Sequence, residues 1–322
     1  MFGLSDFLMR HESVLWQTFR GSYYTPGYFV ALAALARQEG RRYEDLEVDA
    51  SHEGYCSAIR LPCALGSDDT YPFARPAAGQ NYAPLVLLEN ADATDRATAD
   101  VNGCIRNLCS DLRIPEFIGA LCSVVGDLHD NVWSHGMSTG FSQAQRWRHE
   151  PWNHQGEYCL EFALADCGYG FQRELERVGL RQATDGAAIE WCIQPGNSTK
   201  LPKATDGWEQ RLPQDMMGNP MPGVGRIQQK ENNHQGLGLA KLVSLVEHFK
   251  GELWLASGNS LLQVGSNGQR QFLCFERPWP GVCIACRFNT VAIKQAQVPA
   301  TEDDITHALI ELLGEANEPA RS

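Results

Sequence analysis

Three polar side chains recur one helical turn apart in GDLHDNVWSHG, residues 126–136: Asp127, Asn131 and His135. A carboxylate can accept a proton, a carboxamide can offer a hard oxygen to a cation, and an imidazole can carry a proton. Spacing by four stacks all three on one flank of a helix, which makes them either a working row or a solvated face. Two glycine turns follow. DCGYG places Asp166 before Gly168 and Gly170, and HQGLGLAK places Gly236, Leu237, Gly238 and Leu239 before Lys241. Each turn alone is a common strand-to-helix device, because glycine reaches backbone angles that other residues avoid.

The elements that must carry these residues are legible from periodicity. Pro115 suits the first turn of a helix, and Phe117, Leu121, Val124, Val125, Leu128 and Val132 form one apolar stripe along it. Asp127, Asn131 and His135 flank that stripe, at the rim of a core where a pocket can open. EYCLEFALAD, 157–166, alternates as a strand and delivers Asp166 at its end. GLGLAKLVSLVEHFKG reads as a glycine turn and a helix stopped by Gly251. ELWLAS, LLQV, RQFLCFE and VCIACRF read as antiparallel strands, with GSNG as a hairpin turn. Upstream, GYFVALAALARQEGRR is helical, DLEVDAS and YCSAIRLPCAL are strand-like, APLVLLEN is a buried strand, and DATDRATADVNGCIRNLCSDL is a helix capped by an Asp. The N-terminal Leu4, Phe7, Leu8, Leu15 and Phe19 suit an amphipathic helix packed on its own domain or on a second copy.

Composition narrows the function classes. A net charge of -12 argues against nonspecific binding to nucleic acid or anionic lipid, though not against a local phosphate site. No apolar run reaches the ~20 residues of a membrane span. The 11 cysteines sit mostly in apolar runs, as buried thiols in a reducing cytoplasm would. Cys283 and Cys286 share C-x-x-C spacing, yet a strand sends residues three apart to opposite faces, so they cannot chelate together.

Taken in order, the helix ending Asn-x-x-x-His, the Asp-x-Gly-x-Gly turn and the Gly-x-Gly-Leu turn resemble the ATP-binding domain of the GHKL superfamily, which includes gyrase, heat-shock chaperones, histidine kinases and mismatch-repair ATPases. The resemblance covers about residues 112–290 and is closest to the histidine-kinase and anti-sigma-factor branch. It implies an α+β, Bergerat-type sandwich, with helices on one face of a mixed sheet; residues 1–110 lie outside it and read, from their own pattern, as a small α/β region. The ATP-binding domain would span 111–292, with 171–235 as an unusually long lid, and a polar tail would occupy 293–322.

The resemblance also implies roles. Asn131 would hold Mg²⁺ beside the phosphates of ATP. Asp127 would be the acid that polarises water or a hydroxyl, although the family usually has the longer Glu there. His135 would lie near the phosphates or cap its helix. Asp166 would accept a hydrogen bond from the adenine amino group, with Gly168 and Gly170 passing close to the base. Gly236, Leu237, Gly238 and Leu239 would open the phosphate-binding helix, and Lys241 would add charge. Asn197, Ser198 and Thr199, with the basic residues Lys200, Lys203, Arg211, Arg226 and Lys230, would reach the phosphates on lid closure. Three activities fit: a slow ATPase or ATP-gated switch acting on a partner protein, a serine or histidine kinase, and a nonhydrolysing docking module. His11 in RHESVLW faintly resembles a phosphoacceptor, without the proline and second helix that a histidine kinase needs. A homodimer fits the N-terminal helix; nucleic acid as a partner does not fit the charge.

Overall fold

The computed structural model describes residues 1–10, 23–134, 138–148, 157–197, 199 and 237–296. Ten α-helices and five strands lie among them. The helices are α1 (Leu4–Leu8), α2 (Pro26–Gln38), α3 (Ala50–Ala58), α4 (Leu61–Ala64), α5 (Ala91–Leu108), α6 (Pro115–Ser134), α7 (Gly170–Arg177), α8 (Asp185–Ile193), α9 (Leu237–His248) and α10 (Thr290–Gln295). The strands are β1 (Val86–Leu88), β2 (Gly140–Arg148), β3 (Tyr158–Asp166), β4 (Glu252–Val264) and β5 (Arg270–Asn289). They form a single sheet in the order β1-β2-β3-β5-β4. The protein is of the α+β class, and no described helix is long and apolar enough to cross a membrane.

Strand alternation divides the interior into two cores. Leu160, Phe162 and Leu164 of β3, with Ile284, Cys286 and Phe288 of β5, face the core built on α5, α6, α8 and α9. Ala163 and Ala165, with Cys283 and Ala285, face the core built on α1 to α4. Cys283 and Cys286 thus bury themselves in opposite layers, as period two requires. The apolar stripe of α6 is buried from Phe117 to Val132. All eleven cysteines are described and all are free thiols.

The architecture departs from the expected layout in particular places. Every pairing in the sheet is antiparallel rather than mixed. Helices cover both faces, because α1 to α4 lie on the side away from α6 and α9. DLEVDAS and YCSAIRLPCAL are not strands: Asp49 caps α3 by accepting from the Ser51 N–H, and this local cap outweighs the strand-like composition. Asn90, not an aspartate, caps α5. The four short strands after α9 are two long ones, β4 and β5, kept continuous through an irregularity at Gly258. GFSQAQRWR, which carries no strong alternation of apolar and polar residues, is β2. Of the amphipathic N-terminal set, Leu4, Phe7 and Leu8 are buried on this chain's own core, while Leu15 and Phe19 lie outside the described residues. Residues 201–235 of the expected lid 171–235, and the tail from 297 onward, lie outside them as well.

The second helical layer is fastened at Glu161, a fully buried carboxylate on β3. Its Oε1 accepts from the Thr25 hydroxyl at 2.7 Å and the Gly27 N–H at 2.8 Å, at the start of α2. Its Oε2 accepts from Nε and a terminal amino group of Arg287 at 3.0 and 2.8 Å. The negative charge therefore sits at a helix N-terminus and opposite a guanidinium, both of which stabilise it. Close approach is possible because residue 27 has no side chain: a Cβ there would lie 3.0 Å from that of Ala285. Pro26 through Ala36 are all buried, so α2 is a core helix and not a surface one.

On the other face His129 pins three elements together. It is fully buried on α6, and its ring nitrogens lie 2.8 Å from the hydroxyls of Thr98 on α5 and Ser142 on β2. Burial drives its pKa down to about 3, so the imidazole is neutral.

Removing one member of a buried charge pair costs far more than removing a surface one. Glu161→Ala is expected to lose about 3–5 kcal/mol of unfolding free energy. Glu39→Ala breaks the half-exposed pairs with Arg41 and Arg277 and is expected to lose no more than about 1 kcal/mol. Urea denaturation of both variants checks the contrast.

Candidate functional site

The ends of α6 and β3 meet through a glycine. Gly140 pairs across the sheet with Asp166, and a Cβ on it would fall 2.8 Å from Val132 Cγ1 and 3.3 Å from Asp166 Cβ. That contact brings the last turn of α6 down onto the strand end that carries the acid. Above it opens a cleft of about 820 Å³ of empty space, part of it open to solvent. Leu128, Val132, Leu164, Phe171, Trp191 and Leu239 form its apolar walls, and Asn131, Asp166, Glu174, Asn197 and Thr199 supply its polar groups. An apolar slot with a few placed polar groups is the usual form of a small-molecule site.

Asp166 lies at the cleft and is only 3% exposed. Burial raises its pKa to about 7, against the opposing pull of the Gly168 and Val282 N–H groups. Gly168 N–H donates to Oδ1 at 2.7 Å, and the Asp166 carbonyl accepts from the Trp279 indole at 2.8 Å. Two glycines make room for this turn. Gly170 has φ +65°, and a Cβ on it would strike Ser257 Oγ at 2.8 Å. A Cβ on Gly281 of β5 would come within 2.3 Å of Asp166 Oδ1. Ser257 Oγ accepts from the Phe171 N–H and donates to the Gly281 carbonyl, which clamps the turn between β4 and β5.

Asp127 is 4% exposed and sits one turn before Asn131. Lys241 Nζ donates to its Oδ2 at 3.1 Å. The first turn of α9 lies directly on this acid, since a Cβ at Gly238 would be 2.8 Å from the Asp127 Cβ. Gly238 is thus required by packing, whatever else the turn does.

Asn131, Asp166, Gly170, Leu239 and Thr199 line one cleft, Gly168 forms its turn, and Asp127, Gly238 and Lys241 form a second cluster at its edge. His135, Ser198 and Gly236 lie outside the described residues, as do the side chain of Leu237 and the residues Lys200, Lys203, Arg211, Arg226 and Lys230. Residue types and motifs did not point to Glu174, Trp191 or Gly281. Glu174 is 8% exposed, is held by Arg177 at 2.9 Å, and accepts from the Thr199 hydroxyl at 2.8 Å. Its place three residues before Arg177 on α7 was visible, but its inward direction was not. Among the described residues no group of three His, Cys, Asp or Glu could hold a metal by itself.

Comparisons with protein-family models, with curated proteins and with solved structures return no match for this chain.

The two buried titrating groups act in opposite directions on stability. His129 stays neutral when folded but takes a proton below about 6.5 when unfolded, so its contribution is present above pH 6.5 and is lost as pH falls toward 3. Asp166 keeps its proton up to about 7 when folded and releases it near 3.8 when unfolded, so its contribution is present below pH 3.8 and is lost as pH rises through 7. Between these limits the two slopes largely cancel. Asp166→Asn is expected to unmask the histidine: relative to wild type, its unfolding free energy rises by about 1.4 kcal/mol per pH unit from pH 4 to 7. Urea titrations at pH 5, 6 and 7 measure that slope, and a parallel pair of curves would contradict it.

Proposed function

We propose that the cleft binds a magnesium-chelated adenine nucleotide and that the protein is a GHKL-type ATP-binding switch whose output passes to a partner protein. The observation that carries the reading is the placing of Asp166 and Asn131 on one apolar cleft, with a glycine-opened helix at its rim. The reading rests on that cleft and on the order of the three motifs, and not on strand directions.

Each residue has a role that its chemistry suits. Ionised Asp166 accepts from an exocyclic amino group and disfavours a purine that offers a carbonyl there. Phe171 and Trp191 give the base an apolar, aromatic slot. The amide oxygen of Asn131 is a hard donor of the kind Mg²⁺ prefers. With no self-sufficient metal cluster among the described residues, the ion would arrive on the phosphates, as Mg²⁺ commonly does. The first turn of α9 offers backbone N–H groups to phosphate oxygens. Thr199, tied to Glu174, adds a hydroxyl to the cleft wall.

A nonhydrolysing docking module is the second reading, and the burial of Asp127 beneath Lys241 favours it. Incubation with γ-labelled ATP separates the activities. Free phosphate identifies an ATPase, label on the chain an autokinase, and binding without either a docking module.

Calorimetric titration tests the nucleotide itself. Asn131→Ala is expected to abolish Mg-ATP binding with the fold intact by circular dichroism. Unchanged affinity would reject the assignment. Asp166→Asn is expected to weaken adenine nucleotides at least ~10-fold, the loss of a buried charge-assisted hydrogen bond. For wild type, affinity should fall as pH drops below about 7, because protonated Asp166 no longer accepts the amino group.

A further inference from the structure

A second cavity opens in the helical layer on the far face of the sheet. About 620 Å³ of empty space, part of it open to solvent, lies where α1, the end of α2 and β5 meet. That falls within the ~300–1,000 Å³ usual for small-molecule sites. Phe7 and Leu8 of α1, Leu35 of α2 and Trp279 of β5 wall it, and all four are buried. Pro278 and Pro280 flank the indole and stiffen that wall, because a proline ring fixes its own φ.

The polar groups of the lining are Arg10, Arg277 and Gln38, and among the described residues no carboxylate lines the cavity. Both guanidinium groups are held in position. Arg10 donates to the Tyr28 hydroxyl at 2.8 Å and lies 5.2 Å from the ring centres of Phe2 and Tyr28. Arg277 donates to Glu39 at 2.6 Å, and Glu39 also accepts from Arg41, so one acid is divided between two arginines. Even with Asp6 of α1 counted, the edge of the cavity carries more positive than negative charge. An arginine that holds one acid can meet a second, since its planar fork carries five N–H groups.

The indole is shared with the cleft. Trp279 Nε1–H donates to the Asp166 carbonyl at 2.8 Å, and Phe7 packs edge-on against the ring with centres 6.3 Å apart. The cavity therefore backs onto the turn that carries Asp166.

We propose that this cavity is a second ligand site, and that it takes an amphipathic organic anion. An aromatic or aliphatic body would lie against Phe7, Leu35 and Trp279, and a carboxylate would meet Arg10 and Arg277. The body leaves water on binding, and the carboxylate gains charge-assisted hydrogen bonds at the mouth. This site does not depend on the nucleotide reading of the cleft.

Calorimetry and proton–nitrogen NMR on the full chain test it, with naphthoate and its neutral isostere naphthamide as probes. Naphthoate is expected to saturate one site and to shift the indole N–H resonance of Trp279, which is assigned by its loss in Trp279→Phe. It is expected to bind at least ~10-fold more tightly than naphthamide, the worth of a charge-assisted hydrogen bond. Gln38 is exposed, so Gln38→Trp fills the mouth from outside the core and is expected to weaken naphthoate at least ~10-fold. Arg277→Met is expected to narrow the preference for naphthoate over naphthamide by about threefold or more. No saturable binding, equal binding of the two probes, or an unmoved Trp279 resonance would overturn the site. So would a folded Gln38→Trp that binds naphthoate as wild type does. If neither variant folds, the wild-type preference and the Trp279 shift decide.

Discussion

The structure depends on one buried carboxylate. Glu161 takes four donors, two from the start of α2 and two from Arg287 of the neighbouring strand. A buried charge is tolerable only when every lone pair is answered, and here the answering groups come from distant parts of the chain. The N-terminal layer is therefore fastened to the middle of the sheet by electrostatics as well as by packing. Arg287 is held further by lying 4.9 Å from the ring centre of Trp254 and 5.4 Å from that of Trp147. With its rear face sealed, the sheet presents the cleft side on a rigid support, the condition for holding a site to geometry.

The same strand supplies both faces. Glu161 and Asp166 are separated by five residues, so alternation points them to opposite sides of β3. One carboxylate is fully paired and structural. The other is buried with only backbone N–H partners among its stabilising influences, and its pKa rises to about 7. Stability is spent at Asp166, and a local cost of this kind is what a recognition site carries. The neutral His129 offsets its effect on pH dependence.

Much of the α6 and β3 geometry was legible in residue types. The stripe from Phe117 to Val132 predicts the buried face of α6, and the flank carrying Asp127 and Asn131 falls at the cleft rim. What escaped were positions where the local signal was weak or shared. β2 reads GFSQAQRWR, with Gln143 and Gln145 turned inward, so it lacks the alternation that marks a strand. The Tyr55 and Tyr23 hydroxyls pair with Gln145 and pull it into the core. Residues 50–65 favour strand by composition, but the Asp49 cap and Pro62 in the first turn of α4 set helices there. Gly281 was one glycine among thirty, and only the approach of Asp166 gives it a reason.

Periodicities of 3.6 and 2 are local, and so the sequence by itself determined the helices α2, α5, α6 and α9, the strand β3 and the opposed faces of Cys283 and Cys286. Glycine spacing determined where turns fall. Only the tertiary structure decided that α1 to α4 cover the second face, that Glu174 and Trp191 join the cleft, and that Lys241 neutralises Asp127. Those outcomes turn on contacts between residues remote in the chain, where burial and charge pairing are properties of the packed assembly and no short segment encodes them.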